Sequence, residues 1–384
     1  MHVCFLCNEY PPQQHGGIGS FTQTLGRRLA QAGCRVTVLG FYPLAASKQE
    51  DDQGVRVCRL AHTRLRGVSF WVHGLRLRRE LRRLAAAGPL DIIDGPENAF
   101  AALPPSVPGL KLIRMNGGHH FFSTTLGRRP AAWRGWVERR SFAHADYLAA
   151  VSRFVAETTR GLLGLRGVPI ELLPNPVDAE RFQPMPEVAV TPGLIGFAGT
   201  LCEKKGIREL VQAMPEIVTA LPQARLMVCG GDSVDPCTGR SFRQTLEATM
   251  GPGANGRVTF GGHIENARLP VALAAAQVLA YPSYMEAQGI AWVEGMAMGK
   301  PVVAGNAGPG PEVIQDGVSG LLCNPRDPHC IAAAIIRLLQ DRPLAARLGA
   351  AARQRVLEHF SVERLVPKNQ EFYQRCLKAG RRAK

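Results

Sequence analysis

The sequence predicts an α/β protein with two doubly wound domains, each a parallel sheet covered by helices on both faces. Short apolar runs such as "VCFLC", "RVTVLG" and "KLIRM" alternate with helix-length segments in the first half, and the alternation resumes with "LIGFAG", "QVLAYPS" and "PVVAG" in the second. The 384 residues are too many for one ordinary core. Their hydrophobic fraction of 46% is enough to fill two cores.

The elements of the first domain follow from these patterns in chain order. The predicted strands are residues 3–7, 35–40, 55–60, 91–94, 111–115 and 147–152, and two of the segments between them, Phe21 to Ala32 and Trp133 to Ala145, have helical length. The predicted strands of the second domain are residues 194–199, 224–231, 257–262, 277–283 and 301–305. A helical segment follows each of them, and the sequence from Asp327 onward is helical.

A proline-rich segment marks the predicted domain boundary. Five prolines lie between Pro174 and Pro192, which is too many for a helix or a central strand. We therefore expect an N-terminal domain at 1–180 and a C-terminal domain at 181–360. A helix and basic tail follow at 361–384. In tandem doubly wound domains, ligands are expected in a cleft at the carboxyl ends of the strands.

The charge balance predicts an acidic partner. Lysine and arginine number 46 against 31 aspartates and glutamates, and residues 1–150 alone hold 20 basic and 10 acidic side chains. The segment 64–83 concentrates seven arginines around Phe70 and Trp71. It is either a helix that flanks the first sheet with solvated arginines, or a contact with an anionic membrane. We expect no nucleic-acid partner, because no nucleic-acid-binding signature accompanies the arginines.

Cysteine usage and hydropathy predict a cytoplasmic protein, either soluble or peripheral on the inner face of the membrane. The chain enters strand-like sequence at His2 without a basic leader, and no apolar run reaches the ~18 residues of a membrane span. The 10 cysteines are scattered, several of them within apolar runs, so we expect few or no disulfides. Cys4 and Cys7 have zinc-like spacing, but no second pair follows them, and buried strand residues are the favoured interpretation.

Two stretches carry candidate anion-binding groups. Gly16 and Gly17 precede a helix, where backbone N–H groups and the helix dipole favour a phosphate, although a tight turn would also use glycine. In "FAGTLCEKKGIRELVQAM", a strand and a glycine turn lead into a helix whose first turn carries Lys204 and Lys205. Such lysines are either solvated or placed to neutralise a phosphate leaving group.

The stretch "PSYMEAQGIAWVEGMAMGKPVVAG" carries two acids in an apolar setting. Eight residues on one helix rotate by ~80° beyond two full turns, so Glu286 and Glu294 converge only if Glu286 lies on the loop before the helix. Gly289 starts that helix, and its N-terminus suits a diphosphate. Each carboxylate would then accept hydrogen bonds from ligand hydroxyls. The alternative is a helix-cap partner and a solvated helix residue.

These motifs resemble those of the retaining glycosyltransferases of family four, which have the GT-B fold. The resemblance rests on the Glu-x7-Glu pair followed by "GKPVVA" and "DGVSGLL", and on "GGIG", "AVSRFVAE", "PNPVD" and "GTLCEKKGIREL" in the family's order over nearly the whole chain. It implies two Rossmann-like domains that face each other across a cleft, with the C-terminal helix returning to the N-terminal domain.

The resemblance also implies roles for individual residues. Glu286 would contact hydroxyls of the donor sugar, Glu294 would hold the nucleotide ribose, and Lys205 would belong to the phosphate clamp. The full set of expected donor-side residues is Gly16, Gly17, Thr200, Lys204, Lys205, Ile264, Glu286, Gly289, Ile290 and Glu294. The expected catalytic residues are His119, Lys205 and Glu286, and the expected acceptor-side residues are Asn116, His120, Glu97 and Arg153.

The sequence departs from the family pattern at three places. Thr200 stands where the family usually has the clamp arginine, so that Lys204 or an N-terminal arginine would have to replace it. Asn116 stands where the family commonly has a histidine. His119 just beyond it is the favoured active-site imidazole, and the alternatives are His120 and no catalytic histidine. The letters "EAQG" replace the common "EGFG", which leaves the sugar undetermined.

The implied activity is transfer of a hexosyl group from a nucleotide diphosphate sugar to an acceptor hydroxyl with retention. A UDP-sugar is favoured and a GDP-sugar is the main rival, and the acceptor is a small molecule, a glycan or a lipid-linked sugar. We expect no cofactor and no metal, because no Asp-x-Asp motif is present. The alternatives are a nucleotide-sugar binding or scaffold protein that has lost its clamp arginine, and a membrane-surface adaptor that uses residues 64–83.

Overall fold

The computed structural model of the chain describes residues 1–13, 16–63, 68–235, 238–251, 253–265 and 267–381. The chain divides into two compact units. The first consists of Met1–Pro176 and Val362–Lys384, and the second of Val177–Ser361. The change of unit falls at Pro176, within the proline-rich segment, and the C-terminal helix belongs to the first unit.

The first unit is an eight-stranded sheet in the order β3-β4-β2-β1-β5-β6-β7-β8. Every neighbouring pair is parallel except the antiparallel hairpin of β3 and β4 at one edge. Its elements are β1 (His2–Leu6), α1 (Gly17–Gln31), β2 (Arg35–Tyr42), β3 (Lys48–Asp52), β4 (Val55–Ala61), α2 (Ser69–Ala86), β5 (Ile92–Gly95), β6 (Leu110–Met115), α3 (His119–Thr125), α4 (Ala132–His144), β7 (Tyr147–Ala150), α5 (Arg153–Leu163), β8 (Ile170–Leu172) and, at the chain end, α13 (Val362–Ala379).

The second unit is a six-stranded parallel sheet in the order β11-β10-β9-β12-β13-β14. Its elements are β9 (Leu194–Ala198), a 3-10 turn (Glu203–Lys205), α6 (Ile207–Ala220), β10 (Arg225–Cys229), α7 (Phe242–Thr249), β11 (Val258–Gly262), α8 (Leu269–Ala274), β12 (Val278–Tyr281), α9 (Ile290–Ala297), β13 (Val302–Gly305), α10 (Gly310–Val313), β14 (Leu321–Cys323), α11 (Pro328–Gln340) and α12 (Arg342–His359). The predicted α/β class with two doubly wound sheets is confirmed.

Both sheets reverse their strand order at one point, and this point locates the candidate sites. In the first unit the chain winds outward from β1 in one direction and from β5 in the other, and in the second unit β9 and β12 play the same parts. The central strands β1, β6, β12 and β13 are buried along their whole length, as parallel strands between two helical layers must be. Ligands of such sheets bind beyond the carboxyl ends of the strands at the reversal.

A buried polar network attaches the C-terminal helix to the first sheet. Arg114 of β6 donates hydrogen bonds of 2.8 Å to Asp94 Oδ2 of β5 and of 2.8 Å to Asn369 Oδ1 of α13. The Tyr373 hydroxyl donates a further hydrogen bond of 2.8 Å to the same Asp94 oxygen. All four side chains are buried. Burial would lower the pKa of Arg114, but the Asp94 charge raises it above its usual range, so the guanidinium stays ionised.

The structure corrects several local expectations. Lys204 and Lys205 do not lie in the first turn of a helix, because they form the 3-10 turn that ends at Gly206, and α6 begins only at Ile207. The short strands β3, β8 and β14 were not predicted. Residues 64–67 of the segment 64–83 lie outside the described residues. Val68 is the N-cap of α2, and residues 69–83 form most of that helix.

The described part of the chain also bears on the expectations for disulfides and for membrane-spanning helices. The nine described cysteines are free thiols, and Cys4 and Cys7 are both buried. Burial raises the pKa of Cys7 to about 11. Among the described helices, none combines the length and the apolar character that a membrane span requires.

Candidate functional site

The second unit brings an ion pair to the point where its sheet reverses. Lys205 lies in the 3-10 turn after β9, and Glu286 lies in the loop after the neighbouring strand β12. The Lys205 ammonium donates a hydrogen bond of 2.5 Å to Glu286 Oε1. The Ser283 hydroxyl donates another, of 3.1 Å, to the same oxygen. The loop carboxylate therefore already has two donors from its own chain.

The electrostatics of this pair keep both members ionised. Burial opposes ionisation of Glu286, but the charges of Lys205 and Lys204, with the hydrogen bonds from Lys205 and Ser283, hold its pKa below the ordinary value. Burial also lowers the pKa of Lys205, and the Glu286 charge outweighs this effect and raises it. A cation and an anionic acceptor consequently lie side by side at the carboxyl edge of the sheet.

Glu294 lies in the second turn of α9 and interacts electrostatically with the same lysine. Burial raises the pKa of Glu294 to about 7, and the charges of Arg181 and Lys205 partly oppose that rise. Glu294 in turn contributes to the raised pKa of Lys205. The loop carboxylate and the helical carboxylate thus interact electrostatically with one ammonium group, and their contacts with ligand hydroxyls stay a prediction.

Two glycines allow the backbone of this region its close approaches. Gly206 has a φ of +64°, and a Cβ there would lie 1.8 Å from the Pro282 carbonyl oxygen. Gly289, the N-cap of α9, has a φ of +85°, and a Cβ there would lie 2.4 Å from the ring of Trp292. The N-terminus of α9 beyond Gly289 carries the positive end of the helix dipole.

The other predicted donor-side residues of the second unit lie at the same edge of the sheet. Thr200 is exposed two residues after the end of β9. Lys204 is half-buried, and its carbonyl oxygen accepts a hydrogen bond of 2.8 Å from the Tyr284 N–H. Ile264 follows β11 and packs against the core, and Ile290 is the first residue of α9.

Three residues at this edge were missed by sequence reasoning. Ser283 donates to Glu286, and Arg181 acts electrostatically on Glu294. Arg326, in the loop after β14, places its guanidinium carbon 4.4 Å from the centroid of the Tyr284 ring. Arg326 is exposed and is a further cation at the edge of the sheet where the family resemblance would place an arginine at the position of Thr200. Only the "NPRDP" letters after the last strand could have drawn attention to it.

In the first unit, the glycine loop forms the start of α1. Gly16 is the N-cap, Gly17 is the first helical residue, and both are exposed. The Gly19 N–H donates a hydrogen bond of 2.8 Å to Glu9 Oε1. A carboxylate of the chain therefore caps the helix N-terminus that was predicted to face a phosphate, a contact that the glycine spacing gave no reason to expect.

A buried arginine fixes the loop between β1 and α1. Arg59 of β4 is 1% exposed and donates hydrogen bonds to the carbonyl oxygens of Tyr10, at 2.8 Å, and Pro11, at 2.5 Å. It also pairs with Glu50 of β3 at 2.5 Å. The Tyr10 hydroxyl donates to Asp52 at 2.7 Å. The edge hairpin thus holds the loop that precedes the exposed glycines.

At the carboxyl end of β6, two buried carboxylates surround a glycine turn. The Asn116 N–H donates a hydrogen bond of 2.7 Å to Glu97 Oε1. A Cβ on Gly118 would lie 1.7 Å from Glu138 Oε1 and 2.9 Å from Glu97 Cγ, so that only glycine fits between them. Burial and, after it, the nearby Glu138 charge raise the pKa of Glu97 to about 8 against backbone hydrogen bonds that lower it. Glu97 is therefore largely protonated at neutral pH.

The two histidines differ in their surroundings. His120 is buried, its N–H donates to Glu138 Oε2 at 2.8 Å, and its Nδ1 is paired with the same carboxylate oxygen. His119 is half-buried, and its Nε2 accepts a hydrogen bond of 2.8 Å from the Ala131 N–H, which places the ring proton on Nδ1. Glu138, in the arginine-rich sequence of α4, was not a predicted site residue.

Asn116 and Arg153 complete the acceptor-side set. The Asn116 amide donates a hydrogen bond of 3.1 Å to the Arg114 carbonyl oxygen, and its own oxygen accepts one of 3.1 Å from Asn175. Arg153 is exposed as the first residue of α5, which begins three positions after the last residue of β7. Asn116 is thus fixed from both ends of its amide, while Arg153 lies at the surface.

The side chains described above can bind phosphate oxygens and hydroxyl groups. In the second unit, one ammonium group and a helix N-terminus can hold phosphate oxygens, while two carboxylates can accept hydrogen bonds from hydroxyls. Within the described ranges, no group of three or more His, Cys, Asp or Glu side chains is arranged to hold a metal ion.

Two family models together match most of the chain. A family model described as Glycosyltransferase Family 4 matches residues 15–181, and one described as Glycosyl transferases group 1 matches residues 178–355. The solved structure of sucrose-phosphate synthase from Thermosynechococcus elongatus aligns with a TM-score of 0.83 and 23% identity over 99% of this chain and 100% of that one. The chain is a glycosyltransferase with the GT-B fold.

Two curated relatives extend the comparison over nearly the whole length. The glycogen synthase of Mycobacterium tuberculosis is 28% identical over 97% of this chain and 94% of its own. The GDP-mannose-dependent alpha-(1-6)-phosphatidylinositol monomannoside mannosyltransferase of the same organism is 27% identical over 96% and 97%. The chain belongs to the group 1 glycosyltransferases of family four, and it transfers a sugar from a nucleotide sugar.

Proposed function

We propose that the protein transfers a hexosyl group from a UDP-sugar or a GDP-sugar to an acceptor hydroxyl, with retention at the anomeric carbon and without a metal ion. The observation that carries this proposal is the Lys205–Glu286 ion pair at the reversal point of the second sheet, with Glu294 of α9 acting electrostatically on the same ammonium group. The expectation from the family resemblance favours UDP, while a relative whose name specifies GDP-mannose supports GDP.

The donor would occupy this edge of the sheet in a defined order. Glu286 accepts hydrogen bonds from the sugar hydroxyls, since it is ionised and held by Lys205 and Ser283. The diphosphate lies at the N-terminus of α9 near Lys205, where the dipole and the ammonium group favour negative charge. Glu294, one turn further along α9, accepts from the ribose hydroxyls.

Departure of the nucleoside diphosphate needs positive charge at the β-phosphate. Lys205 supplies it in this proposal, with the helix N-terminus, and Lys204 or Arg326 takes the part of the absent clamp arginine. The acceptor hydroxyl attacks the same face of the anomeric carbon that the phosphate leaves, and the departing phosphate oxygen takes the hydroxyl proton. Glu286 binds hydroxyls here and does not attack the sugar.

The acceptor is a small molecule, a glycan or a lipid-linked sugar that meets the first unit. The basic surplus of residues 1–150 favours an anionic acceptor, and the relative named for phosphatidylinositol monomannoside acts on a lipid-linked one. Peripheral contact with an anionic membrane through residues 64–83 belongs to the same proposal, because it would bring the enzyme to such an acceptor.

Donor selection and stereochemistry test the proposal directly. The temperature of thermal unfolding should rise in the presence of either UDP or GDP, and ADP should not raise it. The matching nucleotide sugar should then be consumed in the presence of a cell extract as the source of acceptor. NMR of the product should give the anomeric configuration of the donor, and EDTA should leave the rate unchanged. An inverted product or EDTA-sensitive turnover would contradict the stated mechanism.

Replacement of Glu294 should weaken nucleoside diphosphate binding and remove part of its pH dependence. Glu294→Gln loses a charge-assisted acceptor for the ribose, so calorimetry should show binding weakened by about 10- to 100-fold. Because the pKa of Glu294 is raised to about 7, its carboxylate becomes populated as the pH rises. Wild-type affinity should therefore increase from about pH 6 to about pH 8 by more than the affinity of Glu294→Gln does. Equal pH profiles would remove Glu294 from the ribose site.

Replacing His119 and replacing His120 should change two different properties, the turnover number and the thermal stability. His119→Ala should lower kcat by about 10²-fold, the scale for one positioned imidazole, with little change in thermal stability. His120→Ala should chiefly lower thermal stability, because it leaves the buried Glu138 without its imidazole partner. If His119→Ala retains full turnover while correctly folded His120→Ala does not, the active-site imidazole is His120.

A further inference from the structure

The first unit exposes an unusual cluster of aromatic side chains, which we call the aromatic surface. It consists of Phe70 and Trp71 of α2 and Trp133 and Trp136 of α4. The Phe70 ring lies 5.1 Å from Trp71 and 5.3 Å from Trp133, between ring centroids, and the two α4 tryptophans stack at 5.0 Å. Trp71 and Trp133 are each 54% exposed, and Trp136 is 42% exposed.

The exposed tryptophans of the aromatic surface do not fill the hydrophobic core. The sequence has four tryptophans, and the fourth, Trp292, is 1% exposed in the core of the second unit. Leu75, one turn after Trp71 on α2, is 65% exposed and continues the apolar stripe. Contiguous exposed apolar side chains of this size mark a contact with a membrane, another protein or a ligand.

The same helix becomes basic along its exposed stripe. Arg79, Arg82 and Arg83 follow Leu75 on the exposed side of α2. Arg79 and Arg83 also line a groove of about 380 Å³ between α2 and the edge hairpin, together with Arg76 and Lys48. Residues 69–86 and 128–144 together hold ten arginines and no lysine, against Glu80 and the buried Glu138.

We propose that the aromatic surface and the arginines beside it dock the first unit on an anionic lipid bilayer. Tryptophan rings prefer the interfacial layer of a membrane, where their apolar faces are buried and their N–H groups stay hydrated. Arginines next to them meet lipid phosphates, each contributing about a fivefold gain in partition. The α4 tryptophans extend the contact beyond the segment 64–83, which alone supplies one exposed tryptophan. The purpose of docking rests on the proposed lipid-linked acceptor, but its physical argument does not.

Vesicle sedimentation tests the surface without donor or acceptor present. The full chain should bind vesicles that contain phosphatidylglycerol much more tightly than vesicles of phosphatidylcholine alone, and added salt should weaken the binding. The variant Trp71→Ser/Trp133→Ser/Trp136→Ser should lose at least tenfold in partition. The variant Arg79→Gln/Arg82→Gln/Arg83→Gln should lose about 10²-fold.

Matched controls use exposed residues of the second unit. Val271→Ser/Val318→Ser removes two apolar side chains that are 49% and 50% exposed, and Arg225→Gln/Arg240→Gln/Arg268→Gln removes three exposed arginines. Both should leave the partition within about twofold, the limit set by small changes in net charge. If either control lowers the partition as much as its matched variant, the effect is one of general charge or hydrophobicity, and the proposed surface is wrong.

Tryptophan fluorescence supplies a second test, in which each tryptophan is replaced by another aromatic residue so that folding is not disturbed. The variant Trp71→Phe/Trp133→Phe/Trp136→Phe should still bind vesicles, but without the blue shift of the wild type, because the remaining Trp292 is already buried. An unchanged shift would place the contact elsewhere. Self-association through the aromatic surface, seen as tryptophan-dependent dimers by ultracentrifugation with no vesicle binding, would overturn the proposal. Nucleoside diphosphate binding by the same samples tests the proposed function separately.

Discussion

Lys205→Ala should lower kcat by about 10² to 10³, the scale for losing one preorganised charge donor in a transition state. The ammonium group is the donor at 2.5 Å to Glu286, and its charge also acts on Glu294. Its removal therefore deprives the leaving phosphate of a cation and leaves Glu286 without its main partner. Steady-state kinetics with saturating donor would measure the loss.

Two further measurements show whether the loss of turnover comes from the lost charge of Lys205 or from unfolding. Lys205→Arg retains the charge and should recover part of the turnover, whereas Lys205→Met should behave like the alanine variant. Thermal unfolding of each variant shows whether the second unit is still folded. If Lys205→Ala keeps turnover within about threefold of the wild type, Lys205 is not the phosphate clamp.

Arg114→Met should lower the free energy of unfolding of the first unit by about 3 to 5 kcal/mol. The substitution leaves the buried Asp94 carboxylate without its guanidinium partner and removes the hydrogen bond to Asn369 of α13. Hydrogen exchange of the β6 amides in a urea series would measure this, because it separates the first unit from the second.

The same network offers its own controls. The double variant Arg114→Met/Asp94→Asn removes both charges and should regain part of the lost stability. Arg375→Met breaks exposed ion pairs with Glu171 and Glu371 and should cost less than about 1 kcal/mol. A loss below 1 kcal/mol for Arg114→Met would show that the network is not needed to hold α13.

The sequence predicted the sheets well where strands are apolar along their whole length. β1, β6, β12 and β13 were all predicted, because parallel strands between two helical layers leave a continuous hydrophobic run. The hairpin strand β3, with the sequence KQEDD, is polar and lies at an edge, so no such run marks it. The 3-10 turn at Lys205 was taken for a helix because its charged residues are equally common in helices.

The candidate site was predictable only as far as motifs reach. The Glu-x7-Glu spacing and the lysine turn indicated Glu286, Glu294 and Lys205, and the structure pairs Lys205 with Glu286 while Glu294 acts electrostatically on the same ammonium group. No local pattern could show that Glu138 lies against His120, since a glutamate among the arginines of α4 has the composition of a solvated face. Such contacts depend on how the helices pack, which a single sequence does not specify.

The attachment of α13 to β6 also determines the order in which the chain can fold. Arg114 and Tyr373 are 259 positions apart. The first unit therefore cannot complete its core until nearly the whole polypeptide has been synthesised, whereas Val177–Ser361 is continuous in sequence and can fold as soon as it emerges from the ribosome. We therefore expect the unit whose first strands are made first to be the last to finish folding during translation, with the strip that α13 later covers exposed until then.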